Sequence, residues 1–270
     1  GIIKYGGQVK YNSSVKRIII LNNSAKGIEL ENGEIIKAKK IISNSTRWDT
    51  FNSDNNNASL VESKDIPSQE AKWKERYVAS PSFLSMHLGV NAECIPEGSH
   101  CHHLIVDEWE QMDKEQGVLF ISIPSLLDSS IAPEGKHIVH AFTPSNFELW
   151  KDLDNKSYLK KKQTDSDNLI NRLEKIIPTI QSNICHKEIG TPKTHRRFLG
   201  RFNGSYGPIP SRKLPGLLYM PFNSTSIENL FCVGDSCFPG QGLNAVAFSG
   251  YACAHKVGAQ LGINKWKLPD

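Results

Sequence analysis

The segment Leu230 to Ala254, LFCVGDSCFPGQGLNAVAFSGYACA, constrains the fold of this chain more than any other. Its apolar start predicts a buried strand that ends at Gly234-Asp235. Gly240-Gln241-Gly242 then forms a loop that leads straight into a predicted helix over 243–261. A strand turning through glycines into a helix gathers free backbone N–H groups and the positive end of a helix dipole at one point. That arrangement suits an anionic or electron-rich ligand. Asp235 is positioned to accept hydrogen bonds from sugar hydroxyls, and Gly240 and Gly242 would let a flat ring approach the backbone. Ala245, Ala247, Ser249, Gly250, Ala252 and Ala254 would let the helix pack closely on a neighbour. On spacing alone the segment is equally a plain strand-loop-helix.

The rest of the chain reads as strands first and a long helix later. Alternation at Gly7–Tyr11, a β-branched run at Val15–Leu21, alternation at Gly27–Glu31 and strands near 34–38 and 39–43 predict a β-meander. Asn32-Gly33 is the expected type I′ hairpin turn. The polar stretch from Asn52 to Asn57 is the first plausible boundary. A short helix is expected within 68–79, and strands at 82–90, 102–106, 118–124 and 137–142. Leu169, Ile170, Leu173, Ile176 and Ile177 repeat at helical spacing, which predicts a helix over 156–177 stopped by Pro178. The run Lys160-Lys161-Lys162 is most simply a solvated face. The composition changes divide the chain at 1–50, 51–228, 229–263 and a tail at 264–270.

Charge and composition exclude little but exclude it usefully. Lys+Arg is 32 against Asp+Glu 28, a net +4 with no dense basic run interleaved with aromatics, so nucleic acid is not an expected partner. No run of ~18 apolar residues predicts a membrane-spanning helix. Six cysteines in a chain of this length, without the dense framework of a small secreted protein, suggest reduced thiols. Cys232 and Cys237 read as buried thiols, with a redox pair as the alternative. His100-Cys101-His102-His103 invites a metal reading, but on a strand 101 and 103 share a face that 102 leaves, and no second ligand pair follows, so no metal is expected. His87, His137 and His140 read as packed or surface strand histidines. Thr191–Arg197, TPKTHRR, reads either as a basic surface turn or as a phosphate-orienting or proton-exchanging site through His195. Tyr206–Pro210, YGPIP, reads as a rigid turn.

GDSCFPGQG resembles the C-terminal flavin-binding motif of the FAD-dependent amine oxidase and phytoene desaturase superfamily. GTPKTHRRFLGRFNGSYGPIP at 190–210, MPFNSTSIENLFCVGDSCFPGQG at 220–242, CHH at 101–103, SIPSLLDSSIAPEGKHIVHAF at 122–142 and AFSG at 247–250 resemble the carotenoid (prolycopene) isomerases within it. The resemblance implies an α/β fold: a Rossmann-like FAD domain with an interleaved mixed-sheet-plus-helices substrate domain. The G-x-G-x-x-G fingerprint that holds the pyrophosphate in such domains is missing, so the chain, which opens abruptly at Gly1, is expected to lack the first βαβ unit.

By the same resemblance, Val15 lies on the adenine side of FAD, and Gly234 and Asp235 on its ribityl or pyrophosphate side. Gly240, Gln241 and Gly242 lie along the isoalloxazine, with Leu243, Asn244 and Ala245 at its N1/C2 edge. The implied activity is cis-to-trans isomerisation of a poly-cis-carotenoid, prolycopene to all-trans-lycopene. It uses reduced FAD without net redox, with NAD(P)H as the candidate reductant. His195 is the candidate catalytic group, and Phe83, Phe120 and Leu218 are candidate substrate contacts. The implied setting is a plastid, or a cyanobacterial-type cell membrane, with peripheral or monotopic membrane contact. The alternatives are a carotenoid desaturase, a retinol saturase, or an inactive fragment or subunit of a flavoprotein.

Overall fold

The computed structural model describes residues 1–52, 59–210 and 220–263. In chain order, four strands come first: β1 (Val15–Leu21), β2 (Ser24–Leu30), β3 (Ile35–Lys37) and β4 (Ile41–Ser43). Three short helices follow, α1 (Arg47–Phe51), α2 (Ser68–Ala71) and α3 (Trp73–Arg76), and then β5 (Tyr77–Ala79). Next are β6 (Ser82–Asn91), β7 (His102–Val106), β8 (Val118–Ser122) and β9 (Lys136–Ser145). After them come α4 (Asn155–Leu173), α5 (Ile180–Asn183), β10 (Ile184–Gly190) and α6 (Pro192–Leu199). The chain closes with β11 (Pro208–Pro210), β12 (Leu230–Cys232) and α7 (Leu243–Gln260).

These elements form two compact units, one from residues 1–80 and 206–270 and the other from 81–205. The division falls at 80/81 and 205/206, not at the composition changes near 50 and 228. Pairing explains why: β11 runs antiparallel to β5, and Ser80 N–H donates to Gly207 O at 3.0 Å, so the chain leaves and re-enters the first unit through one short ladder. Arg47 of α1 and Glu70 of α2 are also paired inside this unit, at 2.7 Å.

In the first unit, β1, β2 and β3 form the expected antiparallel meander. The β1–β2 connection is the hairpin turn with two positive φ values, at Asn22 (+50°) and Asn23 (+56°). Asn32-Gly33, expected to be that turn type, instead lies in a wider loop with only Gly33 at positive φ, closed by the Leu30 N–H donating to Glu34 O at 2.9 Å. The alternation at Gly7–Tyr11 does not become a strand, since those residues are exposed and have no neighbouring strand. The expected helix within 68–79 is broken into α2 and α3, and Tyr77–Ala79 is the strand β5. Strand β12 lies parallel to β4 with Leu230 opposite Ile41 and Cys232 opposite Ser43. Ile18, Ala25, Phe51, Val61, Ile227 and Leu230 form this unit's core.

The second unit is a five-stranded antiparallel sheet in the order β10-β6-β9-β8-β7, with one face covered by α4 and its neighbours. Alternation in β6 buries Leu84, Met86, Leu88 and Val90 on that face, where they meet Trp150, Leu169, Leu173 and Ile177. Helix α4 starts at Asp154, whose carboxylate accepts from Ser157 N–H at 2.6 Å. It ends at Leu173, so Ile176 and Ile177 occupy the turn before Pro178 and still reach the core. Three elements of this unit were not expected: the short α5 and two that bear on the site. Strand β10 pairs with the outer edge of β6, and TPKTHRR is a helix, because Thr191 and Thr194 form a reciprocal capping box with Pro192 at the first turn. Among the described residues, no helix is long and apolar enough to cross a membrane.

Candidate functional site

In the first unit the loop from Gly234 to Gly242 is held from below. Cys232 N–H donates to Asn223 O at 2.8 Å, and Asn223 Nδ2 donates to Cys232 O at 2.9 Å and lies 3.1 Å from Ser249 Oγ in α7. One asparagine thus ties strand β12 to helix α7. Phe238 N–H donates to Pro221 O at 2.8 Å, and the Phe238–Pro239 peptide is cis. Gly234 has φ +93°, and a Cβ there would sit 2.5 Å from Asn44 Oδ1, so the position requires glycine. Gly207 fits against the same loop, where a Cβ would be 3.0 Å from Gln241 Cγ and 3.1 Å from Asp235 O.

Beneath this loop lies a buried polar cluster. The Arg47 guanidinium, 3% exposed, donates to Glu70 at 2.7 Å and to Phe222 O at 3.0 Å. Glu70 also accepts from Ser226 N–H at 2.9 Å. Cys232, Cys237 and Cys253 are buried free thiols. Burial pushes the Cys237 thiol up to about 11 against the opposing pull of Arg47, and raises Cys232 further. These thiols are therefore poor nucleophiles.

The predicted ligand-facing residues lie where a loop meets an open helix start. Helix α7 has no side-chain N-cap, and Gly242 before it has φ +98° with nothing within 4 Å of its Cβ position. Gln241, Gly242, Leu243 and Asn244 are exposed, Gly240 is buried, and Asp235 and Ala245 are half-buried. Ser236 Oγ is buried and has no hydrogen-bond partner among the described residues. Free N–H groups, glycines and an unpaired hydroxyl on one turn fit a ligand that is flat, polar and rich in acceptors, as a flavin ring is. Val15 stands apart at the start of β1, opposite Leu30. The small residues of α7 do not form the close-packed face expected of them. Only Ser249, Cys253 and Gly258 are buried, and Ala247 is exposed.

In the second unit, the sheet face opposite α4 carries two parallel rows. One is aromatic: Phe142 stacks on Phe120 at 4.9 Å, and the Phe83 ring stands edge-on to Phe142 at 5.1 Å. The other is polar, and cross-strand register builds it: Glu188 opposite His87, His87 opposite His140, His140 opposite Ser122, and Ser122 opposite His102. The His87 and His140 rings stack at 4.4 Å. His195 of α6 reaches the same face, with Nε2 3.4 Å from Ser85 Oγ. Burial lowers the pKa of both His140 and His195, and the nearby His87 lowers both further. Both are therefore free bases at neutral pH.

The sequence had singled out Phe83, Phe120 and His195, and the register brings them to one face. It had read His87 and His140 as ordinary strand histidines and had missed Ser85, Phe142 and Asn223. The one available signal was alternation: Phe83, Ser85 and His87 on one strand and His140 and Phe142 on another must each point the same way. Leu218 lies outside the described residues. His102 and His103 are engaged with Ser122 Oγ and His100 O, both at 2.9 Å. Among the described residues, no group of three His, Cys, Asp or Glu side chains is placed to hold a metal ion.

No protein-family model matches the chain. It is 49% identical, over 98% of its length, to a protein named prolycopene isomerase, chloroplastic, from Daucus carota. It is 48% identical, again over 98%, to the protein of that name from Arabidopsis thaliana. The chain spans 42% and 44% of the lengths of these two relatives. A phytoene desaturase (neurosporene-forming) from Cereibacter sphaeroides is 25% identical over 89% of the chain and 47% of its own length. Among solved structures, an oxidoreductase from Methanosarcina mazei matches with TM-score 0.59 at 16% identity, over 94% of this chain and 51% of that one. A glycerol-3-phosphate dehydrogenase from Bacillus halodurans, solved in complex with FAD, matches with TM-score 0.51 at 13% identity, over 98% of this chain and 42% of that one. The mixed α/β architecture is thus one that such oxidoreductases share.

Proposed function

We propose that this chain, a relative of the plant prolycopene isomerases in the phytoene desaturase superfamily, supplies the flavin-ring side and the substrate unit of an FAD-dependent carotenoid isomerase. The reaction is prolycopene to all-trans-lycopene, in a plastid and in association with a membrane. A cyanobacterial-type membrane is the alternative setting. The single observation that carries this reading is the 49% identity over nearly the whole chain. The weaker likeness to desaturases, at 25%, places them as the second reading.

In this reading Gly234, Asp235 and the turn from Gly240 to Ala245 hold FAD, with Ser236 as a further hydrogen-bonding group and Val15 on the adenine side. Bound in its reduced form, with NAD(P)H as reductant, FAD supplies electron-exchange chemistry to a polyene whose oxidation state is the same before and after reaction. The uncapped start of α7 favours negative charge beside it. Phe83, Phe142 and Phe120 give the polyene an apolar aromatic row to lie along, and Leu218 is proposed as a further contact. His195 is neutral, with Nε2 3.4 Å from Ser85 Oγ, and in this reading it is the group that takes a proton from the polyene and returns it. No net hydrogen is lost, which separates this chemistry from desaturation.

The test is anaerobic incubation of the full-length protein with prolycopene and reduced FAD. All-trans product of unchanged mass, formed without stoichiometric flavin oxidation, is expected. A product lighter by two hydrogens, or a need for a stoichiometric acceptor, overturns the reading in favour of a desaturase.

A further inference from the structure

The second unit has a surface that neither the aromatic row nor the histidine row uses. Helix α6 ends at Gly200, which has φ +59°, and its last two side chains are left in solvent, Phe198 75% exposed and Leu199 51%. Lys193, Arg196 and Arg197 of the same helix join Phe147, Lys151 and Asp152 around an open cavity of about 560 Å³. Its cations lie on ring faces: Arg196 is 5.1 Å from the Phe147 ring centre, Lys193 is 5.4 Å from that of Tyr158, and Arg197 is 5.2 Å from that of Phe198. Lys151 pairs with Glu148 at 2.5 Å. Among the described residues, Lys193, Arg196 and Arg197 have no carboxylate partner.

Three unpaired cations cost little on a surface, and so do two exposed apolar side chains. Their adjacency is the informative part. A soluble anion would neutralise the cations and leave Phe198 and Leu199 in water. A layer with anionic headgroups over an apolar interior satisfies both at once, because the ring and the cation of Arg197-Phe198 are neighbours with opposite preferences for depth.

We propose that this end of α6 is a docking surface for an anionic phospholipid layer. The cavity lined by Lys151, Lys193, Arg196 and Arg197 takes headgroup phosphates, while Phe198 and Leu199 enter the acyl boundary. The proposal rests on the isomerase reading only in that a lipid-dissolved substrate gives docking a purpose. Vesicle binding is measured without flavin or substrate, so either can fail alone.

The experiment is co-sedimentation of the full chain with vesicles of phosphatidylcholine, and of phosphatidylcholine with about one-third phosphatidylglycerol. Binding is expected only to the anionic vesicles and is expected to be lost at about 0.5 M salt. Arg196→Gln with Arg197→Gln is expected to weaken it about 25-fold, since each basic residue at such a surface contributes about fivefold. Phe198→Ser with Leu199→Ser is expected to weaken it at least about tenfold by removing buried apolar area. Thermal melting confirms that the exposed variants remain folded. Equal binding to neutral vesicles, wild-type binding by either double variant, or no vesicle binding by a chain that still binds glycerol 3-phosphate overturns the proposal.

Discussion

The imidazole rings of His87 and His140 lie face to face, 4.4 Å apart and 9° from parallel, across the β6–β9 ladder. Two protonated rings at that distance would repel, and Glu188 beyond His87, His102 beyond Ser122 and His195 from α6 are further titratable groups on this face. The folded-state pKa of His140 and of His195 lies below the unfolded value of about 6.5. The unfolded chain therefore binds more protons between the lowered pKa and about 6.5, and stability falls as pH drops through that window and is fully present above it. Melting temperature is expected to rise from about pH 5 to 6.5, less steeply in His140→Gln. Identical slopes in the two proteins would remove His140 as a cause.

The Arg47–Glu70 pair is expected to be sensitive to loss of either half. Glu70→Gln leaves a guanidinium that is 3% exposed without its counter-charge, a change worth about 3–5 kcal/mol. Urea denaturation at neutral pH should show the midpoint falling with little change in slope. An unchanged midpoint would mean that water reaches the cluster.

Gly234→Ala is expected to destabilise by about 1–3 kcal/mol, because φ +93° strains any side chain and the new Cβ meets Asn44 Oδ1. Adding Asn44→Ala relieves the overlap but not the φ, so about half of the loss should return. Full recovery would assign the whole cost to the overlap.

Ser236→Ala should move stability and ligand retention in opposite directions. Its buried hydroxyl has no partner among the described residues, so removing it is expected to leave the flavin-free chain as stable or up to about 1 kcal/mol more so. In the full-length protein the same change should lower flavin retention, read by absorbance after dialysis. Unchanged retention would remove Ser236 from the proposed flavin site.

The cysteines should sort by burial when the native protein meets iodoacetamide at about pH 8. Cys185 is exposed and is expected to react first. Cys237, held up to about 11, and Cys232 should react only on unfolding. Mass spectrometry of the digested protein reads the order.

Local patterns carried much of this molecule. The β-branched run of β1, the alternation of β6 and β9, the periodicity of α4 and the strand-loop-helix from Leu230 onward all became the elements expected of them. What failed depended on partners. Asn32-Gly33 had the composition of a tight hairpin, yet Asn22-Asn23 took that conformation, because there the register closes directly from Leu21 to Ser24. The TPKTHRR segment has too few apolar residues to show helical periodicity, and its helix rests on the Thr191–Thr194 capping box. The polar row from Glu188 to His102 draws on five strands far apart in the chain, so no stretch of sequence displays it. Asn223, which ties β12 to α7, is polar and sits in a loop, where composition predicts only exposure.

The short ladder between β5 and β11 has a consequence for how such a chain varies. With Ser80 and Gly207 bonded to each other, both ends of the segment from Pro81 to Ser205 are clipped together at one point of the first unit. That segment behaves as a cassette. Insertions, deletions or wholesale exchange between its two ends leave the β5–β11 ladder untouched, so this segment can vary while the loop after β12 stays as it is.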